Sequence, residues 1–302
     1  MSVAGAHVME GSTRRAGLVR DYFALTKPGI VLWLVITAYA AMMVAGHGMP
    51  GAGITLVTLG GLAMSAGGAH AVNMWFDRDI DQVMGRTEHR PIPTGRVAPR
   101  AALAFGIVLG AVSFAVMVLL ANWASALATA AGYLCYVFVY TMWLKRRTPQ
   151  NIVIGGVAGA MPPVVGWLAI SPHIAWPPIW MFLIISLWTP PHFWSLALFR
   201  SDDYRRAGVP MMPVVRGARP TIRASFGYTI LLVAASIALA LSGAVGSLYL
   251  LVAVLAGMLF LLVHIPLWRD PKHLTLWARR TFFLSLLYIV ALFLAMAITV
   301  HV

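Results

Sequence analysis

Every lysine and arginine of this chain falls between alternate hydrophobic segments, and that one-sidedness restricts the fold more than any single motif. Apolar stretches run near 30–46, 53–75, 101–120, 123–143, 151–170, 175–198, 225–243, 247–267 and 281–300, each close to the roughly 20 residues that carry a helix across a bilayer. Arg14, Arg15, Arg20 and Lys27 precede the first stretch; Arg78, Arg86, Arg90, Arg96 and Arg100 follow the second; Lys145, Arg146 and Arg147 follow the fourth. Arg200, Arg205, Arg206, Arg216, Arg219 and Arg223 follow the sixth, and Arg269, Lys272, Arg279 and Arg280 lie between the eighth and ninth. The intervening loops around HGMPGA, ANW, SPHIAWP and SGAVGS contain no basic residue. Basic loops stay on the cytoplasmic side. Nine spans with this alternation therefore place the N-terminus in the cytoplasm and the C-terminus outside.

The chain is 60% hydrophobic and 10% charged over 302 residues, which leaves no room for a separate soluble domain. The expectation is an all-α integral membrane protein: a cytoplasmic tail over 1–27, disordered to about Asp21, then a single nine-helix domain over 28–302. The net charge of +13 becomes a field on the cytoplasmic face. It reads as topology and attraction to the lipid bilayer's anionic headgroups, with no nucleic acid as partner. The single cysteine, Cys135, permits no internal disulfide and reads as a packing residue. The N-terminal segment carries no cleavage-site pattern, so no signal peptide is expected. Alanine- and arginine-rich usage points to a bacterial inner membrane.

Acidic residues are scarce, nine in all, and five are grouped: Asp77, Asp79 and Asp81 in NMWFDRDID, and Asp202 and Asp203 in FRSDDYRRAGVP. Sparse, grouped carboxylates where apolar segments meet basic loops point to bound cations. Asn73, Asp77 and Asp81 are spaced i, i+4, i+8, which on one helix aligns them on one face over roughly 12 Å. Two carboxylates and an amide are hard oxygen donors of the kind Mg2+ takes together with substrate phosphates. Three acids at a helix C-terminus also oppose its dipole by about 0.3–1 kcal/mol each, a penalty a bound cation removes. The plainer alternative is that they solvate the helix end and pair with arginines. Asp79 points off this face and is expected to pair with Arg78 or Arg86. Downstream, Pro91, Pro93 and Gly95 shape a loop in which Arg86, Arg90 and Arg96 are placed to clamp pyrophosphate oxygens.

The second acidic cluster ends the sixth segment as the first ends the second, suggesting a loose internal repeat about a shared cavity. Pro162 and Pro163, then Pro190 and Pro191, lie inside apolar segments and are expected to kink them, an irregularity tolerated where it lines a cavity. Gly155, Gly156 and Gly159 suit close helix packing. His192 follows the second proline pair. An intramembrane imidazole is a functional candidate, with packing as the alternative; His70 and His264 have weaker claims. Trp75, Trp143, Trp167, Trp188 and Trp194 with Tyr133, Tyr136 and Tyr140 read chiefly as interfacial belt and core, a few being placed to steady an allylic carbocation or stack on a flat ring.

An NxxxDxxxD helix, a second acidic helix end and nine spans resemble the UbiA superfamily of intramembrane prenyltransferases over essentially the whole chain. The blocks LTKPGIVLWLVIT, NMWFDRDIDQVMGRTEHRPIP, KRRTPQNIVIGGVAGAMPPVVGW and HFWSLALFRSDDYRRAGVPMMPVVRG are similar, in order, to its protohaem IX farnesyltransferase (haem O synthase) branch. The resemblance implies a UbiA-type bundle around a central cavity opening to the cytoplasmic side. It implies transfer of farnesyl from farnesyl diphosphate to a vinyl group of haem B, giving haem O, with Mg2+ as cofactor. Asn73, Asp77, Asp81 and Asp203 would hold metal-diphosphate; Lys27, Arg86, Arg90, Lys145 and Arg146 would bind phosphates; His192 would lie near the haem. Partners implied are the next haem-modifying enzyme and terminal oxidase assembly factors. The chain departs from the superfamily's usual second DxxxD: four residues after Asp203 stands Ala207, and the extra acid is Asp202. Two other readings stand beside this one: a prenyltransferase with another aromatic or tetrapyrrole acceptor, and a cation or haem transporter. Transporter carboxylates lie near the bilayer midplane, whereas these lie at segment ends.

Overall fold

The computed structural model describes residues 17–300. Among them nine helices are long and apolar enough to cross a membrane: α1 (Pro28–Ala45), α2 (Ala52–Phe76), α3 (Pro99–Leu120), α4 (Trp123–Leu144), α5 (Asn151–Ile170), α6 (Trp176–Phe199), α7 (Ala218–Leu241), α8 (Ser247–Arg269) and α9 (Pro271–Thr299). No strand forms among the described residues. Pro28 and Pro99 open α1 and α3 at positions where a missing N–H costs nothing. Asn122 caps α4 by accepting from Ser125 N at 2.9 Å.

Observed α7 and α9 start before the apolar stretches do. α7 begins in ARPTIRAS and the α-helical part of α9 in LTLWARR, because a helix continues past the hydrocarbon once Arg219, Arg223, Arg279 and Arg280 carry their charges outward along apolar stems. Residues 17–25, within the expected tail, are helical, including those up to Asp21 expected to be disordered. Their inward residue Leu25 is fully buried with Ala71, Met74, Ile92, Val97 and Ala102. Arg96 Nε holds Asp21 Oδ1 at 2.9 Å, so this helix is tied to the loop that follows α2. The remainder of the expected tail, residues 1–16, lies outside the described residues.

Both proline pairs sit within α5 and α6 without ending either helix. Two approaches are so close that only glycine fits. A Cβ on Gly68 would stand 2.6 Å from Gly106 O, joining α2 to α3, and one on Gly166 would stand 2.1 Å from Ala38 O, joining α5 to α1. Gly155 and Gly156 serve as expected, against the Tyr140 ring and Thr189. Gly159 does not, since a Cβ there would meet nothing within 4 Å. The interior is sealed by Trp194, Phe260, Tyr249 and Tyr288, while Leu119, Leu241 and Leu56 are among the large apolar side chains left facing outward. Cavities at the flank of α2, α3 and α4 include one of about 610 Å³ lined by Trp75, Arg78 and Arg100.

Candidate diphosphate and metal site

The site is built where α2, α4 and the residue before α1 meet. Helix α2 stops at Phe76, and Asp77 (φ −84°, ψ 6°) joins it to a six-residue helix, Arg78–Val83. The expected single helical stripe is therefore divided at its middle residue. Its pitch survives: Asp77 N donates to Asn73 O at 2.9 Å and Asp81 N to Asp77 O at 2.8 Å. The division corrects the dipole argument, because Asp79 and Asp81 fall in the first turn of the short helix, where acids are favoured. Asp203 likewise belongs to a separate helix, Ser201–Arg206, and sits in its first turn. What still calls for a cation is the burial of the inner carboxylates.

Asn73, Asp77 and Asp81 are all buried, Asp77 completely. Asn73 Nδ2 donates to Asp77 Oδ2 at 2.7 Å and lies 3.2 Å from Thr141 Oγ1, while its Oδ1 accepts from Lys27 Nζ at 2.7 Å. Lys145 pairs with Asp77 Oδ2. Arg90 pairs with Asp81 Oδ2 at 2.7 Å, and Thr87 Oγ1 holds Asp81 O at 3.1 Å. Arg146 grips Asp79 with both terminal nitrogens at 2.6 and 2.7 Å, stands 3.6 Å from Asp77 Oδ1 and lies over the Phe76 ring at 4.9 Å. Asp79 thus pairs with Arg146 and not with Arg78 or Arg86; those hydrogen bonds pull its carboxyl down to about 2 and raise Arg146.

Lys27 is the site's unusual cation. It is the last residue before α1, in the left-handed region (φ 51°, ψ 62°), and its side chain meets an amide and not a carboxylate. Burial, then the neighbouring charges of Arg90 and Lys145, push its ammonium well below the ordinary lysine value. The cluster Lys27, Arg90, Lys145 and Arg146 outnumbers the carboxylates Asp77, Asp79 and Asp81, so an added anion is favoured there. Asp77 Oδ1 is buried without a hydrogen-bond partner. Asn73, Asp77 and Asp81, one helical turn apart, offer the hard oxygen donors that fit Mg2+ held jointly with substrate phosphates, Asp77 Oδ1 being the one left without a hydrogen bond.

The other expected site residues are placed differently. Among the described residues no three of His, Cys, Asp and Glu gather as a ready metal cluster. Asp203 pairs with Arg206 and, at 3.8 Å, with Arg200. Arg86 is exposed and faces the buried Tyr204, one residue beyond Asp203; burial raises that phenol and the guanidinium opposes the rise. Ile80 and Met84 pack with Tyr204, Val209 and Met211, which brings the two acidic helices to one wall. His192 is buried in α6, stacked between Trp188 and Phe282. His70 Nδ1 contacts Thr26 O at 2.9 Å and its ring meets Tyr136 edge-on.

Sequence reasoning missed Thr141 and the form of the helix that carries it. From Cys135 to Leu144, α4 becomes a π-helix, as in Lys145 N donating to Tyr140 O at 2.9 Å. The wider turn sets Tyr136 and Thr141 against His70 and Asn73 of α2, and Tyr140 against Gly155 of α5, just before Lys145 and Arg146, a local register that apolar periodicity cannot reveal.

Comparison with known proteins gives these features a context. The model of the UbiA prenyltransferase family matches residues 34–287. The chain is 54% identical to the protoheme IX farnesyltransferase of Symbiobacterium thermophilum, across 94% of this chain and 95% of that protein. It is 43% identical to the protein of that name from Bartonella tribocorum, across 99% and 97%. The chain spans about half the length of two Roseiflexus proteins of the same name, 53% in each case. Among solved structures it is similar to a digeranylgeranylglyceryl phosphate synthase (TM-score 0.79, 16% identity, 94% of this chain and 99% of that one). It is also similar to a UbiA homolog from Archaeoglobus fulgidus bound to GPP and Mg2+ (TM-score 0.64, 17% identity, 92% and 99%).

Proposed function

The chain belongs to the UbiA prenyltransferase family of multi-pass membrane enzymes, and from that premise we propose that it transfers farnesyl from farnesyl diphosphate to a vinyl group of haem B, with Mg2+, to make haem O. The observation that carries the reading is the surplus of cations on the buried Asn73–Asp77–Asp81 stripe: Lys27 on Asn73, Lys145 and Arg146 on Asp77 and Arg90 on Asp81, with Asp77 Oδ1 accepting no hydrogen bond. Mg2+ supplies charge neutralisation at the departing diphosphate. Asn73, Asp77 and Asp81 hold that metal-diphosphate, with Asp203 a further ligand from the second acidic helix. Lys27, Lys145 and Arg146 leave their present partners for phosphate oxygens, and Arg86 and Arg90 close over them from the loop after α2. These contacts strengthen as the C1–O bond of the prenyl diphosphate breaks and negative charge gathers on the leaving oxygens. The allylic cation adds to the vinyl carbon, water adds to the cation formed on the acceptor, and one proton is released.

The relatives' names support the acceptor, and the A. fulgidus protein bound to GPP and Mg2+ supports the donor and metal. The one-sided basic loops support a site opening to the cytoplasmic face of a bacterial inner membrane, N-terminus inside and C-terminus outside. A haem-modifying enzyme that takes haem O onward and terminal oxidase assembly factors are the partners such a product implies. The test is a competition. Purified protein in detergent receives farnesyl diphosphate, Mg2+ and equal haem B and 4-hydroxybenzoate, with products read by mass. Farnesylated, hydrated haem is expected; prenylation of the benzoate alone moves the chain to an aromatic acceptor.

A further inference from the structure

Deepening that reading, and resting on it, we propose that His192 ligates the iron of the haem substrate through Nε2. The hydrogen bonds fix which nitrogen is bare. Ser285 Oγ lies 2.6 Å from Phe282 O, a carbonyl that can only accept, so the serine's one proton is committed there. The 2.8 Å contact between His192 Nδ1 and the same Oγ must then be donated by the imidazole. Nδ1 carries the proton and Nε2 carries the lone pair. Among the described residues Nε2 makes no hydrogen bond, and His192 as a whole residue is 7% exposed.

The ring's plane is fixed as firmly as its tautomer. Trp188 lies on one face with ring centroids 4.3 Å apart and a 20° interplanar angle, and Phe282 on the other at 4.5 Å and 27°. Trp188 Nε1 donates to Ser285 O at 2.7 Å, so the tryptophan is tied to the residue that receives the histidine's proton. A packing histidine needs one partner and no particular plane. An imidazole held on both faces, donating from one nitrogen and leaving the other free, is the arrangement that makes a directed metal ligand: the partner on Nδ1–H sets ring orientation and raises donor strength. The metal that the proposed chemistry brings to this depth is the iron of the acceptor, and ligation would anchor the porphyrin at its centre. Edge-on to His192 stands Phe193, which packs in one cluster with Tyr140 and so connects this wall to the one carrying Lys145.

The experiment uses full-length detergent-solubilised protein with ferrous haem B, read by resonance Raman for the Fe–imidazole stretch. Wild type should show the band. His192→Gly should lose it and regain it with exogenous imidazole, which fits the slot left between Trp188 and Phe282. Ser285→Ala, which keeps the ligand, should shift the band and weaken haem binding by roughly 10-fold, as loss of an outer-shell partner does; it also serves if the glycine variant does not fold. KM for haem B should rise and KM for farnesyl diphosphate should not. Haem binding with the band unchanged in His192→Gly, or band and affinity both unchanged in Ser285→Ala, overturns the ligation and leaves the acceptor reading intact. Wild type that takes up no haem B overturns the acceptor reading and the ligation with it.

Discussion

Lys27→Met separates the two things a cation at this site does. In the folded protein the ammonium donates one hydrogen bond, to Asn73 Oδ1 at 2.7 Å, and the repulsion of Arg90 and Lys145 outweighs the attraction of Asp77 and Asp81. Replacement removes repulsion with Arg90 and Lys145 but leaves the Asn73 carbonyl without its donor, which costs about 1–3 kcal/mol. The two terms oppose each other, so stability should change little, and methionine bears the left-handed backbone at position 27 no worse than lysine. Function has no such compensation. A hydrogen bond to a charged phosphate oxygen contributes about 1.5–3 kcal/mol, which is roughly 10- to 150-fold in kcat/KM for farnesyl diphosphate. Lys27→Gln restores an amide donor toward Asn73 without the charge; it should recover any lost stability and not the lost rate. Steady-state kinetics against farnesyl diphosphate, beside thermal unfolding in detergent, reads both quantities. A Met variant with kcat/KM within about two-fold of wild type would remove Lys27 from phosphate binding, since the charge-assisted term is larger than that. Full rescue by glutamine would assign it to positioning Asn73 alone.

Three further outcomes follow from the geometry. Gly166→Ala should fail to yield folded protein, because its methyl would overlap Ala38 O, whereas Gly159→Ala should be neutral or stabilising by up to about 1 kcal/mol; melting temperatures decide. Asp79 has its folded carboxyl lowered to about 2 against an unfolded value near 4, so its pairing with Arg146 contributes fully above about pH 4 and fades as pH falls toward 2. With Asp79 61% exposed, a double-mutant cycle with Arg146→Gln should return only about 0.2–1 kcal/mol near neutrality. Asp203→Asn should lower kcat/KM sharply, its side chain being 13% exposed beside the Arg86–Tyr204 contact, while Asp202→Asn, 78% exposed, should act like wild type.

Hydropathy and loop charge were enough to read the nine spans, because each depends on composition summed over some twenty residues. The stripe of Asn73, Asp77 and Asp81 was legible too, from its spacing in an apolar chain, whereas Lys27, Lys145 and Arg146 entered only through the resemblance to the UbiA blocks. Local geometry was not. The break at Asp77 and the π-turns before Lys145 change which face a residue presents, yet leave the apolar pattern untouched. Partners distant in sequence were also hidden: Asp79 faces Arg146 and His192 faces Ser285, and nothing within a turn of either acid or imidazole announces it. The helical reading of residues 17–25 was lost because a short amphipathic stretch with Arg20 and Asp21 resembles a solvated tail until Leu25 is seen in the core.

The most direct test of the account is single-turnover transfer from farnesyl diphosphate to haem B, by wild type and Asp77→Asn, across a Mg2+ titration, with haem products weighed by mass spectrometry. The account predicts haem that has gained one farnesyl and one water in wild type, saturable in Mg2+, and little product from a folded Asp77→Asn protein at any Mg2+ concentration. Equal turnover by the two proteins, or turnover indifferent to Mg2+, would contradict it.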